Sequence, residues 1–307
     1  MDYRSKIVYN LTMLKNKYNT SDRFKARAYN NALKQLTTQP IYSIKDVEGV
    51  GGEKTLKKMA YIIENNKDLE EVIEYTQNES YGILETLQKV HGIGPSKAKD
   101  LYENHNIRSL SDLEAKADTL LNKVQKTGLK YFNDINKRIP YKEMLQHAEL
   151  VTKTMSDPNT EISVVGSFRR KAKDSGDIDV LITGETNSLN DIINALIKKK
   201  YLVSEGVLAH GTVKFMGICK LPRHKTHRRI DILYTTPEEF PFAQLYFTGN
   251  DQFNIRMRKH ALDNGYTLNE QGLFHTETKE RVNHPFKTEK DIFEFLKYDF
   301  VEPEERK

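Results

Sequence analysis

Two short segments, each with aspartates set among aliphatic residues, constrain this chain more than any other feature. Between Asp177 and Ile182, polar and apolar side chains alternate with a period of two, so Asp177 and Asp179 leave the same, exposed face of a predicted strand. A second predicted strand, Arg229 to Leu233, carries Asp231 between isoleucines. Carboxylates that converge from neighbouring strands repel one another unless a cation lies between them. The pattern therefore predicts a site for two Mg²⁺ ions, which prefer oxygen ligands and substrate phosphates.

A glycine–serine turn comes just before these aspartates. Glu161 to Val165 is a predicted strand, which Gly166 ends. Gly166 and Ser167 can present backbone N–H groups and a hydroxyl to a triphosphate, and Arg170 adds positive charge. Such a turn, or a single Asp-x-Asp strand, is also compatible with an ordinary solvated hairpin. The combination of the turn with two aspartate strands favours nucleotidyl transfer.

The N-terminal part reads as all-helical and contains a repeated glycine turn. In Val47 to Lys54, and again in Val90 to Lys97, an apolar-x-Gly-apolar-Gly sequence leads into a helix that carries lysines. Glycine lets the backbone approach a phosphate closely, and the N–H groups at the start of a helix attract it. The repeat predicts two helix-hairpin-helix motifs that bind the DNA backbone independently of base sequence. The glycines of the two turns are Gly49, Gly51, Gly92 and Gly94.

Three further expectations concern local structure. After the first turn, a helical face should pack on the core, with Lys58 on the opposite side. The expected members of that face are Leu56, Met59, Ala60 and Ile63. The polar segment Thr76 to Gly82 is the expected domain junction. The basic segment Lys220 to Arg229 reads either as a solvated hairpin or, beside a metal site, as a contact to template phosphates through residues such as Arg229.

Composition limits the class of protein only loosely. The 307 residues carry 48 basic and 43 acidic groups, a net charge of +5, so local clustering must decide whether the partner is an anion. The single cysteine, Cys219, excludes an intramolecular disulfide framework. No apolar stretch approaches a membrane span and no signal-peptide core begins the chain. We expect a soluble intracellular monomer, nuclear or cytoplasmic, that is not secreted and has no membrane partner.

The motifs together resemble the family X DNA polymerases, and most closely their beta type, along essentially the whole chain. Matching runs occur in collinear order: VHGIGPSKA, GLKYFNDINKRIPYKEML, VVGSFRRKAKDSGDIDVLIT, KFMGICKLP, HRRIDIL, LYFTGN and EKDIFEFLKYDF. The resemblance implies an α+β protein. Its parts would be a helical lyase domain with the first hairpin (1–80), a DNA-binding subdomain with the second (81–140), a nucleotidyltransferase-type mixed-sheet palm (141–244) and a small α/β nucleotide-selection subdomain (245–307).

The resemblance also implies roles for individual palm residues. Asp177 and Asp179 would hold both metal ions, and Asp231 would join the catalytic one and help to deprotonate the primer 3′-hydroxyl. The residues that match triphosphate contacts are Ser167, Arg170, Ser175, Gly176 and Arg138. Those that match contacts to the sugar are Tyr246, Phe247 and Gly249. Those that match contacts to the base or to the template minor groove are Asp251, Asn254 and Arg258.

In the N-terminal part, Lys58 matches the family's Schiff-base lysine if one residue is inserted at Gly52-Glu53; without that gap the match is Lys57. Lys25, Tyr29 and Lys54 match the pocket for a 5′-phosphate. A Schiff base needs an amine that is neutral often enough to attack, and we expect nearby lysines and partial burial to favour that form.

Two departures from the family pattern weaken particular expectations. Leu233 replaces an arginine that can pair with a catalytic aspartate in an inactive state, and Glu70 falls near a lysine of the lyase pocket rim. The first puts that switch in doubt, and the second makes the lyase less certain than the polymerase.

The expected function is gap-filling, template-directed DNA synthesis in base excision repair, with an appended 5′-deoxyribose phosphate lyase. Mg²⁺ would be the cofactor, Mn²⁺ could substitute, and the hairpin turns could hold a monovalent cation. The expected partners are gapped or nicked double-stranded DNA and deoxynucleoside triphosphates. The alternatives are a repair polymerase with a decayed lyase, a template-independent terminal transferase, and a non-catalytic module that binds DNA ends.

Overall fold

The structure, a computed structural model, describes residues 1–19, 21–36, 39–154, 160–184 and 188–306. Two 3₁₀ helices, Ile44–Val47 and Pro303–Glu305, accompany the regular elements. The α-helices are α1 (Arg4–Tyr18), α2 (Arg23–Gln35), α3 (Glu53–Asn65), α4 (Glu70–Gln77), α5 (Glu79–Gln88), α6 (Pro95–His105), α7 (Leu110–Ala115), α8 (Ala117–Leu120), α9 (Lys123–Lys130), α10 (Phe132–Ile135), α11 (Tyr141–Thr152), α12 (Gly166–Arg169), α13 (Ser188–Lys198), α14 (Phe240–Thr248), α15 (Asp251–Asp263) and α16 (Glu289–Phe295). The strands are β1 (Ile139–Pro140), β2 (Glu161–Val164), β3 (Asp174–Ser175), β4 (Ile178–Thr183), β5 (Leu202–His210), β6 (Lys214–Cys219), β7 (Arg228–Thr235), β8 (Tyr266–Asn269) and β9 (Gly272–His275).

The chain divides into two compact units between Gln125 and Lys126. The finer division into four subdomains stays a prediction. The junction expected at Thr76 to Gly82 is helical, because α4 runs to Gln77 and α5 begins at Glu79 with Asn78 as its N-cap. A polar sequence here marks a helix cap, whose Asn78 side chain accepts a hydrogen bond from the Ser80 N–H at 2.9 Å. Among the described residues, no helix is long and apolar enough to span a bilayer.

The core of the first unit is formed by α1 to α4, and its centre is aliphatic. Ile7, Leu11 and Leu14 of α1 are fully buried against Met59 and Ile62 of α3. The buried face of α3 is rotated from the predicted one: Thr55, Met59 and Ile62 are buried, whereas Leu56 and Ile63 lie at its edge. Lys58 therefore borders the core and is not opposite to it. A helical stripe with apolar residues on two adjoining sides leaves this rotation open until the neighbours are known.

Both glycine turns lead into a helix N-terminus, as predicted. The first follows the 3₁₀ helix Ile44–Val47 and enters α3, and the second follows α5 and enters α6 at Gly94. Gly51 has a φ of +68°, and its N–H donates to the Gln35 side chain at 2.6 Å. A Cβ at this position would lie 3.1 Å from the Cβ of Ala32, so the turn is packed tightly on α2.

A five-stranded sheet forms the middle of the second unit, in the order β2-β4-β7-β6-β5. Strands β4 and β7 are parallel, and the other pairs are antiparallel. Ile178, Val180 and Ile182 point into a core that Ile230 and Ile232 complete, as their alternation predicts. Strand β5 is an edge strand that sequence reasoning did not identify. Its charged and apolar residues do not alternate regularly, and the register shifts twice along its pairing with β6.

Another element absent from the sequence prediction is α14, FPFAQLYFT. Six of its nine residues are buried, so it lacks the polar face that makes a helix visible as a periodic pattern. The predicted boundary between residues 244 and 245 falls inside this helix.

A buried ion pair joins the start of β7 to α11. Arg228 donates to both carboxylate oxygens of Glu143, at 2.7 and 2.8 Å, and to the Lys137 carbonyl at 3.0 Å. His147 lies alongside, and burial lowers its pKa to about 4, so the imidazole is neutral and hydrogen-bonded to the Tyr201 hydroxyl at 2.7 Å. The arginine side chain is 6% exposed, so its partner is needed to compensate the charge.

Replacing Arg228 with alanine should lower the free energy of unfolding by about 3 kcal/mol, because Glu143 is left as an uncompensated charge in a largely buried position. Unfolding of the second unit in urea, followed by fluorescence or circular dichroism, measures this change in the free energy of unfolding. Arg138→Ala is the matched control: it removes two hydrogen bonds to Asp174 Oδ1 from an arginine whose side chain is 60% exposed, and it should cost less than about 1 kcal/mol. Equal effects of the two substitutions would contradict the assignment of a buried pair.

Candidate active site

Three carboxylates meet at one edge of the central sheet. Asp179 of β4 and Asp231 of β7 lie directly opposite each other in the parallel pairing, and Asp177 immediately precedes β4. Each offers an oxygen within 4.8 Å of the other two. The three carboxylates are half-buried. The prediction that they lie on an exposed strand face is wrong in this respect. Leu181 and Phe240 cover the sheet on this side a little further along.

Mutual repulsion and burial change the pKa of one carboxylate of the cluster, Asp179. Burial, reinforced by the negative charge of Asp231, raises the pKa of Asp179 to about 6, although Lys214 and Arg170 act in the opposite direction. Arg229 donates a hydrogen bond to Asp177, and its Nε lies 3.5 Å from Asp231 Oδ1. Arg229, which the sequence analysis assigned to a contact with template phosphates, therefore contacts two of the three carboxylates.

The donor set fits divalent metal ions. Three hard oxygen donors converge, the carboxylates penalise one another's charge, and protein cations compensate only part of it. Asp177, Asp179 and Asp231 are the residues that would hold the ions.

The Gly166 turn is built around Asp179. Gly166 has a φ of +63°, and a Cβ at this position would overlap the Asp179 carboxylate. The Val165 N–H donates to the Asp179 carbonyl at 2.9 Å, which fixes the turn against the strand. Just beyond, the Ser167 hydroxyl donates to that of Ser175 at 2.8 Å. Only glycine allows this approach, and the turn thus brings Ser167 next to the carboxylates.

These groups open into a cleft of about 680 Å³. The predicted residues that line it are Arg138, Ser167, Arg170, Gly176, Asp177, Asp179, Tyr246, Phe247, Gly249, Asp251 and Asn254. Ser175 is buried at 1% exposure, and it touches the cleft only through its bond to Ser167. Asn250 and Gln252 also line the cleft but were not predicted. Asn250 could have been found, because Asn before an apolar helical run is an N-cap, and it accepts from the Phe253 N–H at 3.0 Å.

The far wall of the cleft is held by contacts between α14 and α15. The rings of Tyr246 and Phe247 meet edge to face with centroids 5.0 Å apart. Asn254 donates to the Tyr246 carbonyl at 2.8 Å. The Arg258 guanidinium lies 4.7 Å from the Tyr246 ring centroid and 3.3 Å from Glu270. These side chains are mutually ordered, so the wall has a defined shape.

Arg169 and Arg170 anchor the glycine–serine turn to the C-terminal elements. Arg170 donates to the Thr248 carbonyl, and Arg169 grips both oxygens of Glu289 at 3.0 and 2.6 Å. Arg306 bonds the same carboxylate at 2.7 Å, fully buried among aromatic rings. Sequence reasoning missed Arg169, Glu289 and Arg306, because partners separated by up to 120 residues leave no local signal.

In the first unit, Lys58 belongs to a polar cluster whose acid is Glu71. The Lys58 ammonium lies 2.6 Å from one Glu71 oxygen, and the Tyr18 hydroxyl bonds the other. That bond raises the pKa of Tyr18 to about 12. Lys17 lies 3.6 Å from the same carboxylate. The charged neighbour of Lys58 is therefore a carboxylate, whereas the sequence analysis expected lysines. It is Glu71 of α4, which follows directly after Glu70, the departure from the family pattern noted in the sequence.

The remaining predicted lyase residues surround this cluster unevenly. Tyr29 is buried and stacks on Tyr18 with centroids 6.1 Å apart. Lys25 pairs with Asp22 at 3.5 Å, and Lys54 is exposed on the first turn of α3. Lys57 points to solvent and pairs with Glu53 at 2.7 Å, with its side chain 75% exposed, whereas that of Lys58 is 27% exposed. Of the two candidate lysines, the structure thus places only Lys58 in an enclosed polar cluster.

Comparisons with known proteins agree with this layout. Residues 138–237 match the family described as DNA polymerase beta palm, residues 243–307 the DNA polymerase beta thumb, and residues 85–136 the fingers domain of DNA polymerase lambda. The chain is 29% identical over 291 residues to DNA polymerase lambda of Arabidopsis thaliana, covering 87% of this chain and 54% of the relative.

Two further relatives give the same picture. DNA polymerase lambda of Rattus norvegicus is 29% identical over 332 residues, covering 99% of this chain and 56% of the relative. A DNA nucleotidylexotransferase of Xenopus laevis is 27% identical over 310 residues, covering 87% and 60%. The chain thus spans little more than half the length of these curated relatives.

A palm sheet with three carboxylates at its edge, facing a glycine–serine turn, defines the nucleotidyltransferase class of site. With matches to palm, thumb and fingers domains in collinear order, the comparisons indicate a family X DNA polymerase, as the sequence motifs predicted.

Replacing Asp179 with asparagine should stabilise the metal-free protein at neutral pH. Between about 3.8, the ordinary pKa, and about 6, Asp179 binds a proton in the folded state but not in the unfolded state, so wild-type stability falls as pH rises through this window. Asparagine lacks the charge. Its free energy of unfolding should exceed that of the wild type by about 3 kcal/mol at about pH 8, and by only about 0.5 kcal/mol near pH 4.

Urea titrations in chelator over this pH range measure the difference, and exposed Asp263→Asn is the control that should match the wild type. Added Mg²⁺ should then stabilise the wild type and Asp263→Asn more than Asp179→Asn. A wild type that gains stability relative to Asp179→Asn as pH rises would show that the carboxylate is not penalised in the fold.

Proposed function

We propose that this protein is a template-directed, gap-filling DNA polymerase that acts in base excision repair. The observation that carries the proposal is the convergence of Asp177, Asp179 and Asp231. Asp177 and Asp179 line a cleft together with the Gly166–Ser167 turn and residues of α14. The matches to family X domains support the proposal. The substrates would be gapped or nicked DNA and deoxynucleoside triphosphates.

The chemistry would be in-line attack of the primer 3′-oxygen on the α-phosphate, with pyrophosphate as leaving group. Two Mg²⁺ ions, for which Mn²⁺ can substitute, would lower the pKa of the attacking hydroxyl and neutralise charge on the transferred phosphoryl group. Asp231 would accept the hydroxyl proton. Ser167, Arg170 and Arg138 would bind the triphosphate oxygens, since all three line the cleft beside the carboxylates.

Selection of the nucleotide would fall to the wall formed by α14 and α15. Tyr246, Phe247 and Gly249, which line the cleft, would meet the sugar, and a ribose 2′-hydroxyl would then collide with packed side chains and backbone. Asp251 and Asn254 would lie against the base. Arg258, held beside the Tyr246 ring, would contact the template minor groove.

The two hairpin turns would hold the DNA backbone without reading sequence. Gly49, Gly51, Gly92 and Gly94 are exposed at the entries of α3 and α6, where backbone N–H groups would meet a phosphate. The Gly51 N–H already donates to the Gln35 side chain, so this contact would fall to the other N–H groups of the first turn. A monovalent cation could join a turn and a phosphate. We propose a monomer that works where nuclear or cytoplasmic DNA is repaired.

A terminal transferase is the rival within the family, and one relative carries that activity in its name. Strand β7 ends at Thr235 and α14 begins at Phe240, and β5 and β6 are separated only by residues 211–213. These short connections leave little chain to replace a template, which favours templated synthesis. Omitting the template from a primer-extension assay separates the two activities.

We further propose a 5′-deoxyribose phosphate lyase in the first unit, with Lys58 as nucleophile. The amine condenses with the sugar aldehyde to an imine and releases water. Loss of the C2′ proton then expels the phosphate by β-elimination, and hydrolysis frees the lysine. Lys25, Tyr29 and Lys54 would bind the 5′-phosphate. The alternative is a decayed lyase that only anchors this phosphate, since Glu71 pairs with Lys58.

Asp231→Ala should reduce single-nucleotide insertion on gapped DNA by at least about 10³-fold, because a ligand and the proton acceptor are lost together. Primer extension with Mg²⁺, with and without template, measures this. DNA binding should change little, because the hairpins lie elsewhere, and Asp263→Ala, an exposed aspartate of α15, should insert nucleotides normally. Wild-type insertion by Asp231→Ala, or loss of DNA binding as the only defect, would overturn the assignment and favour a DNA-end-binding module.

Borohydride should trap a covalent adduct between the protein and DNA with a 5′-deoxyribose phosphate, even in chelator. Lys58→Ala should lose most of the adduct yet keep gap filling, because the palm carboxylates are untouched. Lys57→Ala is the matched control, an adjacent lysine with its own glutamate partner, and it should retain the adduct. Loss in Lys57→Ala instead would move the nucleophile, and no adduct with the wild type would indicate the decayed lyase.

A further inference from the structure

Glu71 of α4 is the acidic member of the cluster around Lys58, and none of the catalytic roles proposed for the lyase uses it. In those roles Lys58 forms the imine, and Lys25, Tyr29 and Lys54 bind the 5′-phosphate. β-Elimination also needs a group that accepts the C2′ proton, because this proton and the phosphate both leave the sugar. The lyase therefore lacks a base as long as Glu71 has no role.

The Glu71 carboxylate is held at both oxygens. Oε2 lies 2.6 Å from the Lys58 ammonium, and Oε1 accepts a hydrogen bond from the Tyr18 hydroxyl. Lys17 lies 3.6 Å from Oε1 and donates to the Glu71 carbonyl at 3.4 Å. The side chains of Glu71 and Lys58 are 26% and 27% exposed. The carboxylate is thus ordered and partly screened from water, with one oxygen beside the nucleophilic nitrogen.

The carboxylate is ionised at neutral pH and can take a proton. Burial by itself would raise the pKa of Glu71, but the hydrogen bonds from Lys58 and Tyr18 outweigh burial and lower it. The bond to Glu71 raises the pKa of Tyr18 to about 12, and burial raises the pKa of Tyr29, so both phenols stay protonated. The charged groups that face the cluster from α1 and α2 are Lys17, Lys25 and Asp22. Of Glu71 and the two tyrosines, only the carboxylate can accept a proton at neutral pH.

We propose that Glu71 is the base that removes the C2′ proton, and that Tyr18 is its positioning residue. This inference rests on the proposed lyase. Once the Lys58 nitrogen is bonded to C1′ of the opened sugar, C2′ is the next carbon. A carboxylate within hydrogen-bond distance of that nitrogen is therefore beside the C2′ hydrogens. It also faces the positive charge of the protonated imine, as it faced the ammonium.

The elimination step moves one proton and one electron pair. Glu71 Oε2 takes the proton from C2′, and the electrons of the C2′–H bond pass into the C1′–C2′ bond and on to the imine nitrogen. They return to form a C2′=C3′ double bond while the C3′–O bond breaks, and the electrons of that bond leave with the 5′-phosphate of the DNA. Water then hydrolyses the imine, which releases an unsaturated aldehyde and restores the Lys58 amine. The proton on Glu71 returns to the amine, and the ion pair forms again.

The ion pair has opposite effects on the two halves of the reaction. The Glu71 carboxylate favours the ammonium form of Lys58, which cannot attack the aldehyde. The same carboxylate is what the imine needs for elimination. Removing its charge should therefore leave imine formation intact or favour it, and should slow the release of the phosphate. A group with a merely structural role would affect both halves alike.

Glu71→Gln tests the proposal, because glutamine keeps the shape of the side chain but cannot take the proton. The full-length protein, in excess, reacts with DNA that carries a 5′-deoxyribose phosphate, with chelator present. Borohydride trapping measures the imine, and gel electrophoresis measures the released DNA 5′-phosphate. Glu71→Gln should trap at least as much adduct as the wild type but eliminate about 10²-fold more slowly. Tyr18→Phe should trap normally and eliminate about tenfold more slowly, because Oε1 loses its donor.

Glu74→Gln, at an exposed position one turn further along α4, is the matched control and should behave as the wild type in both measurements. Glu71→Asp keeps a carboxylate and should recover part of the elimination rate. An unchanged melting temperature verifies the folding of each variant. A parallel loss of adduct and product in Glu71→Gln, faster elimination, or no change would overturn the role of Glu71 and leave the lyase standing. A wild type that gives neither adduct nor product would defeat the proposed lyase and the base with it.

Discussion

The repulsion among three carboxylates is the constraint on which the rest of the catalytic unit depends. Parallel pairing of β4 and β7 places Asp179 directly opposite Asp231, and this arrangement is unfavourable until cations compensate the charge. The fold tolerates it because a continuous apolar core on the other face of the sheet holds both strands. Because burial raises the pKa of Asp179, the ionised form of this carboxylate depends on nearby cations.

The surrounding ion pairs stabilise this arrangement by joining elements that are distant in sequence. Arg228 and Glu143 hold the start of β7 against α11. Arg228 is directly followed by Arg229 and lies three residues before Asp231. Arg169 and Glu289 join the glycine–serine turn to the C-terminal helix α16. Such pairs need full satisfaction in their buried positions, and they make the geometry of the cleft a property of the whole unit.

Much of the site could be predicted from local sequence, because its chemistry follows short periodic patterns. The period-two alternation predicted that Asp177 and Asp179 lie on one strand face. The glycines predicted the turns at Gly51 and Gly166. The collinear motifs also predicted the family that the comparisons indicate. A period of two or 3.6 residues is a property of the backbone itself and therefore survives in any fold.

Only the tertiary structure decided which side chains distant in sequence contact one another, because no local period encodes such contacts. Glu71 meets Lys58 across two helices, and Arg306 meets Glu289 inside an aromatic core. The helix α14 was not predicted because most of its residues are buried and it lacks a polar face. Sequence alone determined the two strands that carry the aspartates, the glycine turns and the three carboxylates. Packing decided which charges are compensated, because Coulomb interactions depend on distances that only the folded chain sets.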